Sequence, residues 1–142
     1  MGARCVGLAA LVATVSGCAV EDGAWLFVID PASGAARLHV RYERATTEQA
    51  RRDGLGVRPP LAEDEGLLLE FPVEGEVCIH NRPVPYPIDV IFAAADDAVV
   101  RDAVSLGAGQ ATPVCVAGVQ RVLEVRQGVG SAVVAGDHLS RD

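Results

Sequence analysis

The sequence predicts a mainly β fold of the β-rich α+β class, in which a compact, barrel-like single domain carries one or two short helices. Three observations indicate it. The length of 142 residues suits one domain. A hydrophobic fraction of 50% is enough to build a core. Short apolar or alternating runs recur along the chain, and turn residues separate them.

The predicted strands are of two kinds. Leu38, Val40 and Tyr42 alternate with polar residues, which is the period of a strand with one face in water. Leu67–Phe71 is predicted to be a buried strand that is apolar except for Glu70, and Pro72 is expected to end it. The predicted strands are, in order, 25–29, 38–42, 67–71, 77–81, 88–93, 98–106 and 119–125.

One helix is expected between the second and third strands. Thr46 is predicted as its N-cap, with Gln49 three residues later completing a capping box. The helix should reach about Asp53 and stop at Gly54.

The connections are predicted from turn residues. Asp96-Asp97 indicates a hairpin between the strands on either side. The segment 82–87 contains three prolines and cannot be a central strand. The segment 107–118 is predicted as a flexible loop that carries Cys115.

The charge distribution excludes several functions. All 12 basic residues are Arg, and the 19 acidic residues give a net charge of −7, which repels a nucleic acid backbone. The absence of Lys excludes Schiff-base chemistry and the lysine of a phosphate-binding loop.

The amino terminus is predicted to be an export signal. Arg4 precedes the apolar run Cys5–Val15, which is shorter than the roughly 20 residues of a spanning helix. The sequence Val15-Ser16-Gly17-Cys18 resembles the bacterial lipobox, which implies cleavage before Cys18 and lipidation of its thiol. The alternative is an ordinary signal peptide with a cysteine near its cleavage site.

The lipobox resemblance implies a division of the chain. Residues 1–17 would be the signal peptide, 18–36 the lipidated terminus, spacer and first strand, and 37–142 the main domain. The protein would be a lipoprotein anchored in the bacterial cell envelope, with Ala19 favouring the outer membrane facing the periplasm.

Two cysteines remain after this processing. In an exported protein, Cys78 and Cys115 form an even pair and favour a disulfide. The alternative is a pair of buried, unpaired thiols.

An ordered set of motifs resembles domain of unknown function 192, a family of bacteria and archaea. The resemblance covers roughly residues 37–139 and implies a compact β-rich, barrel-like fold, often exported, with no established reaction. Where that family has an aromatic-rich segment of the type F-W-M-K-N-T, this chain has residues 79–84, so Trp and Met are absent and Arg82 replaces Lys. The matching stretches are TTEQARRDGL (46–55), Arg58, EDEGLLLEFP (63–72), PIDVIF (87–92), VLEV (122–125) and Gly136-Asp137.

A polar cluster at a strand end is the first candidate ligand site. His80, Asn81 and Arg82 are adjacent, and with Arg58 they could present donors to an anionic ligand. The alternative is a solvated strand end in which Arg82 pairs with a carboxylate.

Two acidic residues in apolar strands are the second candidate. Asp89 and Glu124 are each flanked by aliphatic residues, so burial would require a partner such as Arg58 or Arg82. They are either a carboxylate pair with perturbed pKa values or structural ion pairs.

Metal and cofactor sites are not predicted. His39, His80 and His138 have no ligand-like spacing, and neither a C-x-x-C motif nor a nucleophile elbow occurs. We therefore expect no catalytic residue, no metal and no cofactor.

The leading hypothesis is a membrane-tethered, non-catalytic accessory domain of the cell envelope that binds a small ligand or a partner protein. The alternative is a small envelope enzyme that uses Asp89, Glu124 or His80 in acid–base chemistry.

Overall fold

The computed structural model describes residues 24–142, which form a single curled, half-barrel sheet of seven strands with one short helix. The predicted mainly β, compact fold is confirmed. The predicted signal peptide and the lipidation site Cys18 lie outside the described residues. The strands are β1 (Trp25–Ile29), β2 (Ala36–Ala45), β3 (Glu65–Ile79), β4 (Ile88–Ala93), β5 (Val104–Leu106), β6 (Val114–Arg126) and β7 (His138–Arg141).

The strand order is β5-β4-β6-β3-β2-β1-β7. All neighbours are antiparallel except β2 and β3, which run parallel with Arg41 opposite Glu65. A parallel pair needs a crossover connection, and the helix lies within it. A backbone bridge between Ala98 and His138 joins the turn after β4 to β7, so the two ends of the curled sheet approach each other.

The helix α1 (Glu48–Asp53) begins one residue later than predicted. Thr47, not Thr46, is the N-cap, because its side-chain oxygen accepts a hydrogen bond from the Ala50 amide at 3.1 Å. The predicted capping box is absent, since the Gln49 side chain donates to Asp53 instead. Gly54 ends α1 as expected and begins a 3₁₀ turn over Gly54–Val57.

Pro72 does not end a strand, contrary to the prediction. The predicted strand 67–71 and residues 77–79 of the predicted strand 77–81 belong to the single long strand β3, which ends at Ile79. The pairing of β3 with β6 shifts register between Glu70 and Gly75 and again before Val77. The bulged region tolerates Pro72 because the ladder with β6 needs no N–H donor at that position.

Two further boundaries differ from the prediction. Cys115 lies in β6 rather than in a loop, because pairing with β3 continues as far as Val114 opposite Ile79. The turn after β4 forms, but the segment 98–106 is not one strand. The amide of Val99 bonds to the Asp137 carbonyl at 2.8 Å, which takes the chain away from β4 until β5.

The sheet has two buried faces. One packs against α1 and the 3₁₀ turn, and we call it the helix face; the other packs against the loops after β4 and β6, and we call it the loop face. Alternation along each strand divides the core between them. The helix face includes Leu55, Leu67, Leu69, Val90, Phe92 and Val122, and the loop face includes Leu68, Ile91, Ala93, Leu123, Val125 and Val133.

Candidate functional site

A cavity of about 400 Å³ lies on the helix face, between α1 with its 3₁₀ turn and the strands β3 and β6. Its position follows from the β2–α1–β3 crossover, which places the helix over the sheet. Its volume falls within the range of small-molecule sites, roughly 300–1,000 Å³. The lining residues are Glu48, Arg51, Arg52, Asp53, Gly54, Leu55, Leu69, Phe71, Cys78, Ile79, His80, Asn81, Pro83, Val84 and Glu124.

Glu124 is the most unusual residue of this cavity. Its neighbours in β6, Leu123 and Val125, belong to the loop face, so its own side chain lies on the helix face. The residue is 6% exposed, and no group within residues 24–142 hydrogen-bonds its carboxylate or forms an ion pair with it. Burial raises the pKa of Glu124 to about 7, and the positive charge of Arg58 offsets part of that rise.

Asn81 supplies a second polar group without a partner. The side chain is fully buried, and its Nδ2 donates to the backbone carbonyls of Tyr86 at 2.9 Å and Gly107 at 3.0 Å. Both partners are acceptors, which fixes the amide orientation because a flip would set oxygen against oxygen. The Oδ1 atom has no hydrogen-bond partner among the described residues. A buried amide acceptor left in this state is uncommon and needs an explanation.

The walls of the cavity are apolar. Phe71 of β3 forms one wall, and the guanidinium of Arg51 lies over its ring at 5.0 Å from the centroid. Arg51 also donates to the carbonyls of Thr46 and Glu70, each at 2.8 Å, which ties α1 to β3. The remaining aliphatic lining comes from Leu55, Leu69, Ile79 and Val84.

The rim of the cavity is charged but balanced. Arg52 pairs with Glu48 four residues earlier in α1, and Asp53 accepts a hydrogen bond from Gln49. His80 is exposed, and its Nδ1 accepts from the backbone amide of Arg82 at 3.2 Å. The rim therefore offers no unpaired excess of one sign.

The disulfide favoured by the sequence is present next to this cavity. Cys78 of β3 and Cys115 of β6 are directly opposite, with Cα atoms 4.0 Å apart, and their sulfurs are bonded. Glu76 is close to both sulfurs, but neither sulfur is available as a metal ligand while the bond is present. The bond fastens the two strands that carry Ile79 and Glu124.

Asp89 lies on the opposite face of the sheet. Its carboxylate accepts from the Ser105 hydroxyl at 2.6 Å and from the amides of Gly128 at 2.8 Å and Gly130 at 3.0 Å. The residue is 2% exposed. Asp89 thus holds β5 and the loop after β6 against β4, and it does not line the cavity.

The comparison with known proteins decides the family. The model of domain of unknown function 192 (DUF192), described as uncharacterized ACR, matches residues 28–140. The chain belongs to the DUF192 family. The predicted membership is confirmed, and no functionally curated protein matches the sequence.

Two solved structures share the fold of this DUF192 protein. One, from Sinorhizobium meliloti 1021, is described as a candidate transcription regulator; it is 24% identical, with a TM-score of 0.75, and the match covers 83% of this chain and 92% of that one. The other, from Novosphingobium aromaticivorans DSM 12444, is a protein of unknown function; it is 24% identical, with a TM-score of 0.74 and 99% of each chain covered. At this identity the likeness shows the fold alone.

The structure brings together part of the predicted site of this DUF192 protein. His80, Asn81 and Glu124 line one cavity, whereas Arg82 and Asp89 do not. Arg58 is outside the lining and acts on Glu124 through its charge, while its Nε donates to Glu43 at 2.7 Å.

The sequence reasoning did not find the contribution of the helix. Arg51 and Arg52 of α1 join Phe71 of β3 in the lining because the crossover folds α1 onto β3. The available signal was the Arg51-Arg52 pair directly before Gly54, on a helix with no buried residue of its own. That pattern indicates an exposed helix, not the lid of a cavity.

Proposed function

We propose that this DUF192 protein is a small-ligand-binding domain of the bacterial cell envelope, tethered to the membrane through a lipid on Cys18, with the helix-face cavity as its binding site. The observation that carries the proposal is the Glu124 carboxylate, which lines that cavity, is nearly fully buried and has no hydrogen-bond or ion-pair partner among residues 24–142.

The energetics support a functional origin for Glu124. A buried polar group without a hydrogen bond costs about 1–3 kcal/mol, and a buried charge costs more. Leucine at position 124 would avoid this cost in the fold. An unpaired carboxylate that lines a concave, apolar site is typical of a group that hydrogen-bonds a ligand.

A panel of metabolite-sized compounds tested against the full chain by thermal shift and calorimetry checks the proposal. We expect a bound compound to lose at least tenfold in affinity in Glu124→Leu, which keeps the volume but removes both oxygens. Glu63→Gln changes an exposed carboxylate outside the cavity and serves as the matched control. Ligand binding that is unchanged in Glu124→Leu would place the site elsewhere.

The tether rests on the lipobox at residues 15–18. Within residues 24–142, no helix combines the length and apolar composition needed to cross a membrane. A Cys18→Ser variant is expected to move from the membrane fraction to the soluble fraction of the envelope, measured by fractionation and detergent partitioning. Retention of the variant in the membrane would contradict lipidation.

The raised pKa of Glu124 favours a second function, acid–base catalysis in the same cavity. A carboxyl group with a pKa of about 7 exchanges protons readily at neutral pH. Asp89 does not join it, because the two carboxylates lie on opposite faces of the sheet. Incubation of an identified ligand with the protein, followed by NMR, tests this function; an unaltered ligand would argue against it.

The description of the Sinorhizobium relative is not carried over to this chain. A net charge of −7 and an acidic pI near 4.9 oppose contact with a phosphate backbone. A ligand site, rather than a nucleic acid surface, is what the cavity supports.

A further inference from the structure

We infer that the ligand of the helix-face cavity is a small organic cation, with a primary ammonium or amidinium group at Glu124 and a compact apolar body against Phe71. This inference rests on the proposed function and specifies the chemistry of that same site. It follows from the unpaired acceptor oxygens of Glu124, the charge of that carboxylate and the apolar walls of the cavity.

The Glu124 carboxylate is the open hydrogen-bonding group of the cavity lining. No described residue donates to it, and an ionised carboxylate only accepts. Asn81 Oδ1 also lacks a partner, but it is enclosed by protein atoms and is not offered to a ligand. A ligand that satisfies the two carboxylate oxygens must donate hydrogen bonds from one compact group, which ammonium and amidinium groups do.

The charge of Glu124 favours a cation over a neutral hydrogen-bond donor. A hydroxyl group would supply a hydrogen bond but would leave the buried carboxylate charge uncompensated. An ammonium or amidinium group supplies the hydrogen bond and the opposite charge together. A cation is therefore the ligand that recovers most of the cost of burying an ionised Glu124.

The protein's own cations are committed elsewhere. Arg58 pairs with Glu43 and donates to the Gly54 carbonyl, and Arg52 pairs with Glu48. Arg51 is held by two backbone carbonyls and the ring of Phe71. None of the ion pairs formed within residues 24–142 includes Glu124.

The pH dependence follows from the groups around Glu124. Glu48, Arg51, Arg52 and Asp53 face the cavity from α1, His80 faces it from the end of β3, and Arg58 acts from beyond the 3₁₀ turn. A cation binds the ionised form of Glu124, whose pKa is about 7. Affinity for the cation should therefore rise roughly tenfold between pH 6 and pH 8 and then level off.

The experiment compares charged and neutral probes of similar shape on the full chain. n-Butylammonium and benzamidinium are titrated at pH 6 and pH 8, beside n-butanol and benzamide, and binding is followed by amide NMR shifts. We expect both cations to shift Glu124 and Asn81 amides, with tighter binding at pH 8. Absence of cation binding at pH 8 overturns the inference.

Three variants make the result specific. Glu124→Gln keeps an amide oxygen but removes the charge, and it should lose the preference for cations together with the pH dependence. His80→Gln should keep both, which excludes the imidazole as their source. Glu63→Gln should match the unmodified chain, and dispersed NMR spectra show that each variant is folded.

The outcomes separate this inference from the proposed function. Equal or tighter binding of the neutral probes, abolished by Glu124→Leu, overturns the cation class and leaves the cavity as the site. Binding of any probe that Glu124→Leu does not alter overturns the cavity itself. Cation binding that persists in Glu124→Gln also overturns the inference.

Discussion

Asp89 and Glu124 are both carboxylates, both nearly fully buried and both set in apolar strands of one sheet, yet their surroundings are opposite. Asp89 on the loop face receives three hydrogen bonds from Ser105, Gly128 and Gly130. Glu124 on the helix face receives none from the described residues. The contrast teaches that burial alone does not mark a functional carboxylate; the state of its hydrogen bonds does.

The largest effect is expected at Asp89. Asp89→Ala leaves two buried amides and a hydroxyl without their acceptor, which should lower the free energy of unfolding by about 4 kcal/mol. Denaturant unfolding at pH 7 measures it. Ser105→Ala removes one donor and should cost about 1 kcal/mol. A loss for Asp89→Ala no larger than this control would refute a structural role.

A substitution of Glu124 is expected to raise the free energy of unfolding rather than lower it. Its pKa rises from 4.5 to about 7 on folding, so the folded state holds the proton more tightly and stability falls as pH increases through that window. A tenfold change in proton affinity corresponds to about 1.4 kcal/mol. The free energy of unfolding of Glu124→Gln should therefore exceed that of the unmodified protein by about 3 kcal/mol at pH 8 and by almost nothing at pH 4.

Unfolding midpoints across this pH range, with Glu63→Gln as the exposed control, measure the difference. A gain for Glu124→Gln that does not depend on pH would show that folding does not raise the pKa of Glu124.

A smaller loss is expected at Gly130, which closes the Asp89 site. A Cβ there would lie 3.0 Å from Asp89 Cβ and 3.3 Å from Val125 Cγ2. Gly130→Ala should therefore cost about 1–2 kcal/mol through local overpacking. Gly107→Ala is the control, because its Cβ would meet only the end of the Gln110 side chain at 3.7 Å. Equal stability of the two variants would show that the loop yields freely.

The smallest effect is expected at Arg58. Its charge lowers the pKa of Glu124, so Arg58→Met should raise that pKa further above about 7. Titration of the Glu124 carboxyl carbon by NMR measures the change. Glu43→Gln breaks the ion pair of Arg58 but keeps its charge, and it should leave the Glu124 titration nearly unchanged. If the titration of Glu124 is the same in Arg58→Met, the charge of Arg58 does not act on Glu124.

The elements predicted well were those whose signals are local. Trp25–Ile29 and Ile88–Ala93 are strands with the predicted bounds, because each is a short run between turn residues that is apolar except for Asp89. Gly54 ends α1 as predicted. The N-cap moved by one residue because Thr46 and Thr47 are chemically equal candidates, and only the Ala50 amide distinguishes them.

The predictions failed where pairing with a distant strand overrides the local signal. Pro72 ordinarily ends a strand, but β6 continues alongside β3 and the bulge absorbs it. Cys115 is predicted in a loop, yet it lies in β6 and pairs with Cys78 of β3. Neither outcome is encoded within ten residues of the position concerned.

The sequence by itself determined the fold class, the membership in the DUF192 family and the set of polar residues from which a site could be built. Only the tertiary structure decided that Asn81 and Glu124 share a cavity and that Asp89 supports a loop. The physical reason is that both faces of this sheet are buried. A strand covered on both sides loses the alternation that would reveal which way a side chain points, so the direction depends on the strands beside it and on what covers each face.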